Sequence, residues 1–170
     1  KLTLINCAGI NYTSFAHKAD IDKWSEVINV NLIGTFNVIR EVLPIMRESS
    51  YGRIINLSSI VAQTFVPGSS AYAASKAAVV SMSESWATEL KKHNIAVSAL
   101  CPAFVKTRIH ESLRNLQPQY KGVREQGADK VKSEKRVNPA EALVESGIPS
   151  SLLAKRVVEA LKSGQRYIFT

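Results

Sequence analysis

The 170-residue sequence has no long apolar run, no paired cysteines and few aromatic side chains, and each shortage removes a class of protein. No apolar stretch approaches the ~20 residues that a helix needs to cross a bilayer, so a membrane-spanning chain is not expected. The stretch Lys1-Leu2-Thr3-Leu4-Ile5-Asn6 turns polar too early for a secretory signal, which makes the expected location cytoplasmic. Cys7 and Cys101 each close an apolar run. Neither has the paired spacing of a zinc or redox site, so both are expected to be buried, reduced thiols and no metal site is expected. The formal charge of +8 raises the question of nucleic acid. Residues 106–136, however, hold nine Lys/Arg against four Asp/Glu, a local +5, and their only aromatic is Tyr120. A basic segment without aromatic interleaving reads as solvated chain, not as a platform for stacking bases, so no nucleic-acid partner is expected.

What is present is the pattern of one α/β domain. The chain is 45% hydrophobic and 21% charged, ordinary for a globular protein of this length. Leu2–Cys7, Arg53–Ser58 and Ile95–Cys101 are short, nearly continuous apolar runs, as expected of strands buried on both faces. Between them lie two long helical patterns. Trp24, Val27, Ile28, Leu32, Phe36, Ile39 and Leu43 recur at three- and four-residue spacing to about Arg47, with Asp20 and Asp22 as caps and Pro44 bending the last turns. Ala71–Lys92 follows, with a face of small residues at Ala73, Ala74, Ser75, Ala77, Ala78 and Ser81. Beyond Pro102 the pattern is irregular to Val137, with helical pieces around 108–116. Ser150 or Ser151 then caps a helix through Leu161, and Tyr167-Ile168-Phe169 begins a fourth strand. Strands alternating with helices imply crossover connections and a parallel sheet covered on both faces, a doubly wound α/β fold.

Tyr72 and Lys76 stand four apart on the second helix, so their side chains leave one face. An ammonium beside a phenol favours the phenolate, drawing its pKa from ~10 toward working pH and making a usable acid or base. Alone, the pair is equally consistent with a core aromatic and a solvated charge. Ser59 ends a strand thirteen residues before Tyr72, where ligands gather in parallel sheets. Asn31, beside Gly34, is a poor helix former inside the first helix.

Asn6-Cys7-Ala8-Gly9, Asn31-Leu32-Ile33-Gly34, Ser59, Tyr72-Ala73-Ala74-Ser75-Lys76 and Pro102-Ala103-Phe104-Val105-Lys106-Thr107 resemble, in order and spacing, the motifs of the short-chain dehydrogenase/reductase family. The resemblance is strong from Leu2 to about Thr107. It implies a Rossmann-like fold and an NAD- or NADP-dependent oxidoreductase that moves a hydride to or from an alcohol or ketone carbon. Tyr72 would then be the acid/base, Ser59 would hold the reacting oxygen, and Lys76 would bind the nicotinamide ribose and lower the Tyr72 pKa. Asn31 would hold a water extending the proton relay. Asn6, Ala8 and Gly9 would border the adenosine side of the cofactor, while Pro102, Val105 and Thr107 would form the turn that holds the nicotinamide carboxamide. A homodimer or homotetramer joined through the two long helices is expected.

Cys7 replaces a common second Asn of the family and Ala103 a usual Gly. The resemblance also places Lys1 at the family's fourth strand, so the first strands and the glycine-rich, pyrophosphate-binding turn are absent from these 170 residues. The residue that chooses between NAD and NADP would lie in that absent region. The expectation is therefore a single partial Rossmann-type domain over 1–170, with a substrate lid over 104–149. By itself this polypeptide is expected to fold poorly and to bind neither cofactor at micromolar concentration. Glu145–Pro149 and Tyr167–Thr170 also look like a subgroup that includes aryl-alcohol and lignin-derived Cα dehydrogenases, implying a bulky apolar substrate. Two other readings compete. A sugar-nucleotide epimerase can share the Tyr/Lys pair, but the Asn6–Gly9 and Pro102–Thr107 motifs argue against it. A non-catalytic scaffold would be expected to have lost Tyr72 or Lys76.

Overall fold

The computed structural model describes residues 1–64, 66–108 and 139–170. Its centre is a four-stranded, wholly parallel sheet of β1 (Thr3–Asn6), β2 (Gly52–Leu57), β3 (Ile95–Cys101) and β6 (Tyr167–Phe169), in the order β1-β2-β3-β6. The three apolar runs and the C-terminal Tyr167–Phe169 all become strands, because each can bury side chains alternately on two faces. Ile54 and Val97 pack on one face with Ile39 and Met46 of helix α2 (Gly34–Glu48), and with Trp86 and Ala87 of helix α3 (Ser70–Glu89). Ile55, Leu100 and Ile168 pack on the other face with Val157 and Ala160 of helix α5 (Ser150–Ser163). The expected doubly wound α/β architecture is therefore present, in three layers. Among the described residues no strand pairs with the outer edge of β1, and Ile5 on that strand is 47% exposed.

The first helical pattern departs from the expected single α-helix. Helix α1 (Ile21–Ile28) passes into a π-helical turn at Asn29–Ile33 before α2 begins, with the Gly34 N–H bonded to the Asn29 carbonyl. Such turns insert an extra residue into the helix and frequently mark functional sites. Only Asp20 caps α1, accepting from the N–H groups of Asp22 and Lys23; Asp22 lies in the first turn. Helix α2 runs through Pro44 to Glu48, and α3 ends at Glu89, with Lys91–His93 forming a separate 3-10 turn. Pro149, not a serine, occupies the N-cap position of α5, with no side-chain cap bond. Residues 109–138, which include most of the expected lid and its helical pieces, lie outside the described residues. On either side of them, β4 (Val105–Lys106) pairs in parallel with β5 (Ile148–Pro149), which follows helix α4 (Pro139–Glu145).

Gly147 makes this small ladder possible. A Cβ at residue 147 would lie 2.4 Å from the Phe104 carbonyl carbon and oxygen and 2.7 Å from the Val105 nitrogen. These are backbone atoms, which cannot rotate aside. Gly147→Ala is therefore expected to part β4 from β5 and cost about 1–3 kcal/mol, lowering the melting temperature by ~2–4 °C for each kcal/mol. A variant melting with the wild type in calorimetry would show that the approach is not needed.

Candidate active site

The expected site residues converge at the carboxyl ends of the parallel strands, where the loops leaving β1, β2 and β3 meet the start of α3. Ser59 stands two residues past the end of β2, and its Oγ accepts from the Val61 N–H at 3.2 Å, which turns the chain into a short 3-10 helix at Ile60–Ala62. Tyr72 and Lys76 come from the first two turns of α3. The Lys76 side chain is 3% exposed, and its Nζ donates to the Leu57 carbonyl at 2.7 Å. It lies 5.5 Å from the centroid of the Tyr72 ring.

The electrostatics differ from the sequence expectation in one respect. Burial pushes the Tyr72 phenol above its ordinary value, with the Ser59 side chain pulling the other way. Burial also dominates Lys76, lowering its pKa to about 8, while Cys7 and Cys101 act to raise it. The ammonium sits over the ring face and spends a proton on a backbone carbonyl, so in this structure desolvation, not the Lys76 charge, governs the phenol.

Asn31 projects from the π turn into the same region and is 1% exposed. Its Oδ1 accepts from the Ile10 N–H at 2.8 Å, and its Nδ2 donates to the Ile10 carbonyl and to Ser75 Oγ, both at 3.0 Å. The backbone of Gly9 is the meeting point: a Cβ built there would stand 3.4 Å from Asn31 Oδ1 and 3.5 Å from Lys76 Nζ. Cys7, Ala8 and Gly9 are exposed around this point. Cys7 is thus not the buried thiol expected from its apolar run: it is exposed, one residue beyond the last position of β1 that pairs with β2. Cys101 is buried, and its thiol is pushed up by that burial. Asn6 turns inward, and its Nδ2 donates to Asn56 Oδ1 at 2.9 Å.

Pro102, Val105 and Thr107 follow β3. The Pro102 carbonyl accepts from the Ile60 N–H at 2.9 Å, which joins this loop to the Ser59 loop. Ala103, where the family usually has Gly, keeps a negative φ and donates its N–H to Thr170 Oγ1 at 2.8 Å, so the loop does not need a glycine there. Val105 is buried in β4 and Thr107 is exposed. Sequence reasoning missed the groups that hold these residues: the Leu57 carbonyl under Lys76, Ser58 Oγ donating to the Lys76 carbonyl at 2.8 Å, and Ser75 against Asn31. Their one signal was small polar residues inside an apolar strand and helix. Among the described residues no His, Cys, Asp and Glu cluster could hold a metal ion, and no helix is long and apolar enough to cross a membrane.

A doubly wound parallel sheet with serine, tyrosine and lysine gathered at its strand ends defines an α/β protein with a candidate ligand site at those ends. Residues 2–118 match the short chain dehydrogenase family, and the chain belongs to it. It is 44% identical over 110 residues to the 3-oxoacyl-(acyl-carrier-protein) reductase FabG of Thermotoga maritima, covering 65% of this chain and 45% of that protein. It is 40% identical over 106 residues to the acetoacetyl-CoA reductase of Shinella zoogloeoides, covering 62% and 44% respectively. The chain therefore spans under half the length of these curated relatives. A short chain dehydrogenase/reductase from Burkholderia phymatum in complex with NAD superposes with a TM-score of 0.82 at 26% identity, covering 98% of this chain and 60% of that one. A gluconate 5-dehydrogenase from Burkholderia cenocepacia in complex with NADP and tartrate gives 0.63 at 29% identity, covering 67% and 45%.

Proposed function

We propose that this chain is the catalytic part of a nicotinamide-dependent oxidoreductase acting on an alcohol or ketone, with Tyr72 as the proton carrier. The observation that carries this reading is the buried Lys76 ammonium held at the strand ends beside Tyr72 and Ser59. The cofactor fits that site on donor chemistry. The Leu57 carbonyl takes one of three ammonium protons, which leaves donors suited to a ribose diol, and the exposed backbone of Cys7–Gly9 borders the same point. Lys76 and Tyr72 would hold the nicotinamide ribose, Asn6, Ala8 and Gly9 the adenosine side, and Pro102, Val105 and Thr107 the carboxamide. NAD or NADP, when bound, supplies or accepts the hydride.

The remaining chemistry belongs to the chain. Ser59 Oγ takes its one backbone bond as an acceptor, so its proton points to the Tyr72 side and would be shared between the phenol oxygen and the substrate oxygen. Tyr72 donates the phenolic proton to that oxygen in reduction and removes it in oxidation. Lys76 and Asn31 extend the path by which the proton is replaced. The side chains of Val66, in the segment leading into α3, and Phe104, in the loop after β3, are exposed and apolar, which suits a bulky substrate. In the intact natural protein, nicotinamide absorbance is expected to change on mixing NADH or NADPH with a panel of apolar ketones. Absence of turnover with both cofactors and every ketone and alcohol tried would refute the reading.

The same reading includes a homodimer or homotetramer. Phe36 on α2 is 41% exposed and stacks on Trp86 of α3 with centroids 6.2 Å apart, forming an apolar surface across both helices. Light scattering of the intact protein at micromolar concentration is expected to give a multiple of the protomer mass, and a purely monomeric sample would refute this.

A further inference from the structure

Ser75 is fully buried on α3, between Tyr72 and Lys76, and the proposed chemistry gives it no task. Its hydroxyl donates to the Tyr72 carbonyl at 2.8 Å, so what it offers Asn31 is an oxygen lone pair, and Asn31 Nδ2 fills it at 3.0 Å. The two Ile10 bonds decide which way round the Asn31 amide stands, and the Ser75 bond holds its second Nδ2 hydrogen and so locks it in place. Nδ2 faces Ser75 and the Ile10 carbonyl, leaving Oδ1 for the Ile10 N–H. A flipped amide would set oxygen against the Ile10 carbonyl and N–H against N–H. Every donor and the carbonyl oxygen of Asn31 are thereby used in a site with almost no access to water, where an unmet polar group costs most. Ile10 follows Gly9, whose backbone stands against Asn31 Oδ1 and Lys76 Nζ. The π turn supports this arrangement from the far side, where Thr35 Oγ1 donates to the Asn31 carbonyl at 2.8 Å.

We propose that Ser75 is a positioning residue: through the Asn31 amide it fixes the Gly9–Ile10 exit of β1 against Lys76, and so couples the cofactor-bordering loop to the helix that carries Tyr72 and Lys76. The catalytic part of this claim rests on the function proposed above; the structural part does not. Two variants separate hydrogen bonding from packing. Ser75→Ala removes the hydroxyl, and Ser75→Cys keeps nearly the same volume while offering only a weak acceptor. In both, deuterium exchange at the Ile10 amide, followed in the intact protein, is expected to accelerate about tenfold or more. The KM for the nicotinamide cofactor should rise several-fold while the KM for the carbonyl substrate holds.

Wild-type Ile10 exchange in both variants would overturn the proposal. So would wild-type exchange in Ser75→Cys alone, since a purely packing role predicts that result. Accelerated exchange with an unchanged cofactor KM would overturn the coupling to the cofactor loop. If Tyr72→Phe kept its turnover, the functional reading would fall, and the Ile10 exchange would still decide whether Ser75 fixes the β1 exit.

Discussion

Tyr72→Phe is expected to lower kcat by ~10³-fold, within the usual range for loss of a positioned acid or base, while cofactor affinity falls by only a few-fold, because Lys76 keeps its hold on the ribose. Phenylalanine keeps the ring that Lys76 lies over and removes only the ionisable oxygen. The pH dependence follows from the direction of the shift. Burial raises the phenol, so Tyr72 stays protonated across the neutral range and can act as an acid throughout it. Ketone reduction should therefore hold through neutral pH and fall only as the alkaline limb is reached, whereas alcohol oxidation, which needs the phenolate, should rise there. Measuring kcat in both directions, with cofactor Kd by calorimetry, checks the assignment, and near-normal kcat in Tyr72→Phe would remove Tyr72 from the chemistry.

Lys76→Met is expected to be the more damaging change, because it acts on binding and turnover together. Lys76 is 3% exposed, with one ammonium proton on the Leu57 carbonyl and the others available to a diol, so its loss should weaken cofactor binding at least tenfold and lower kcat by ~10²-fold or more. It also leaves a pH signature in stability. The folded-state pKa of Lys76 is lowered to about 8 from the ordinary 10.5, with burial the main cause, so between these values the unfolded chain binds more protons than the folded one. Stability from this group therefore increases with pH across that window and is smallest below it. Urea unfolding of wild type and Lys76→Met should show the difference moving in favour of the wild type on going from about pH 7 to about pH 10, by on the order of 1–3 kcal/mol. A pH-independent difference would show that Lys76 keeps an ordinary pKa when buried.

The strands were legible because a strand buried on both faces must be apolar at nearly every position, and the runs before Cys7, Ser58 and Pro102 have no other economical reading. The long helices were legible from their spacing. The positions of Asn31, Ser59, Tyr72 and Lys76 came from motif order, which fixes where residues fall along the chain. The π turn was not legible, since Leu32 and Phe36 have a spacing that both an α-helix and a helix with one inserted residue can accommodate. Cys7 was misread because an apolar run does not reveal where strand pairing stops.

By itself, then, the sequence determined the α/β class, the alternation of strands and helices, and the candidate acid–base residues, because those depend on local periodicity and on the order of residues along one chain. Tertiary structure alone decided how the candidates meet. It brought the Leu57 carbonyl under Lys76, made burial outweigh the ammonium in setting the Tyr72 phenol, and closed the bond from Ser75 through Asn31 to Ile10. Each of those facts joins segments between about 19 and 65 residues apart or depends on how much water the packed chain excludes, and side-chain spacing carries neither quantity.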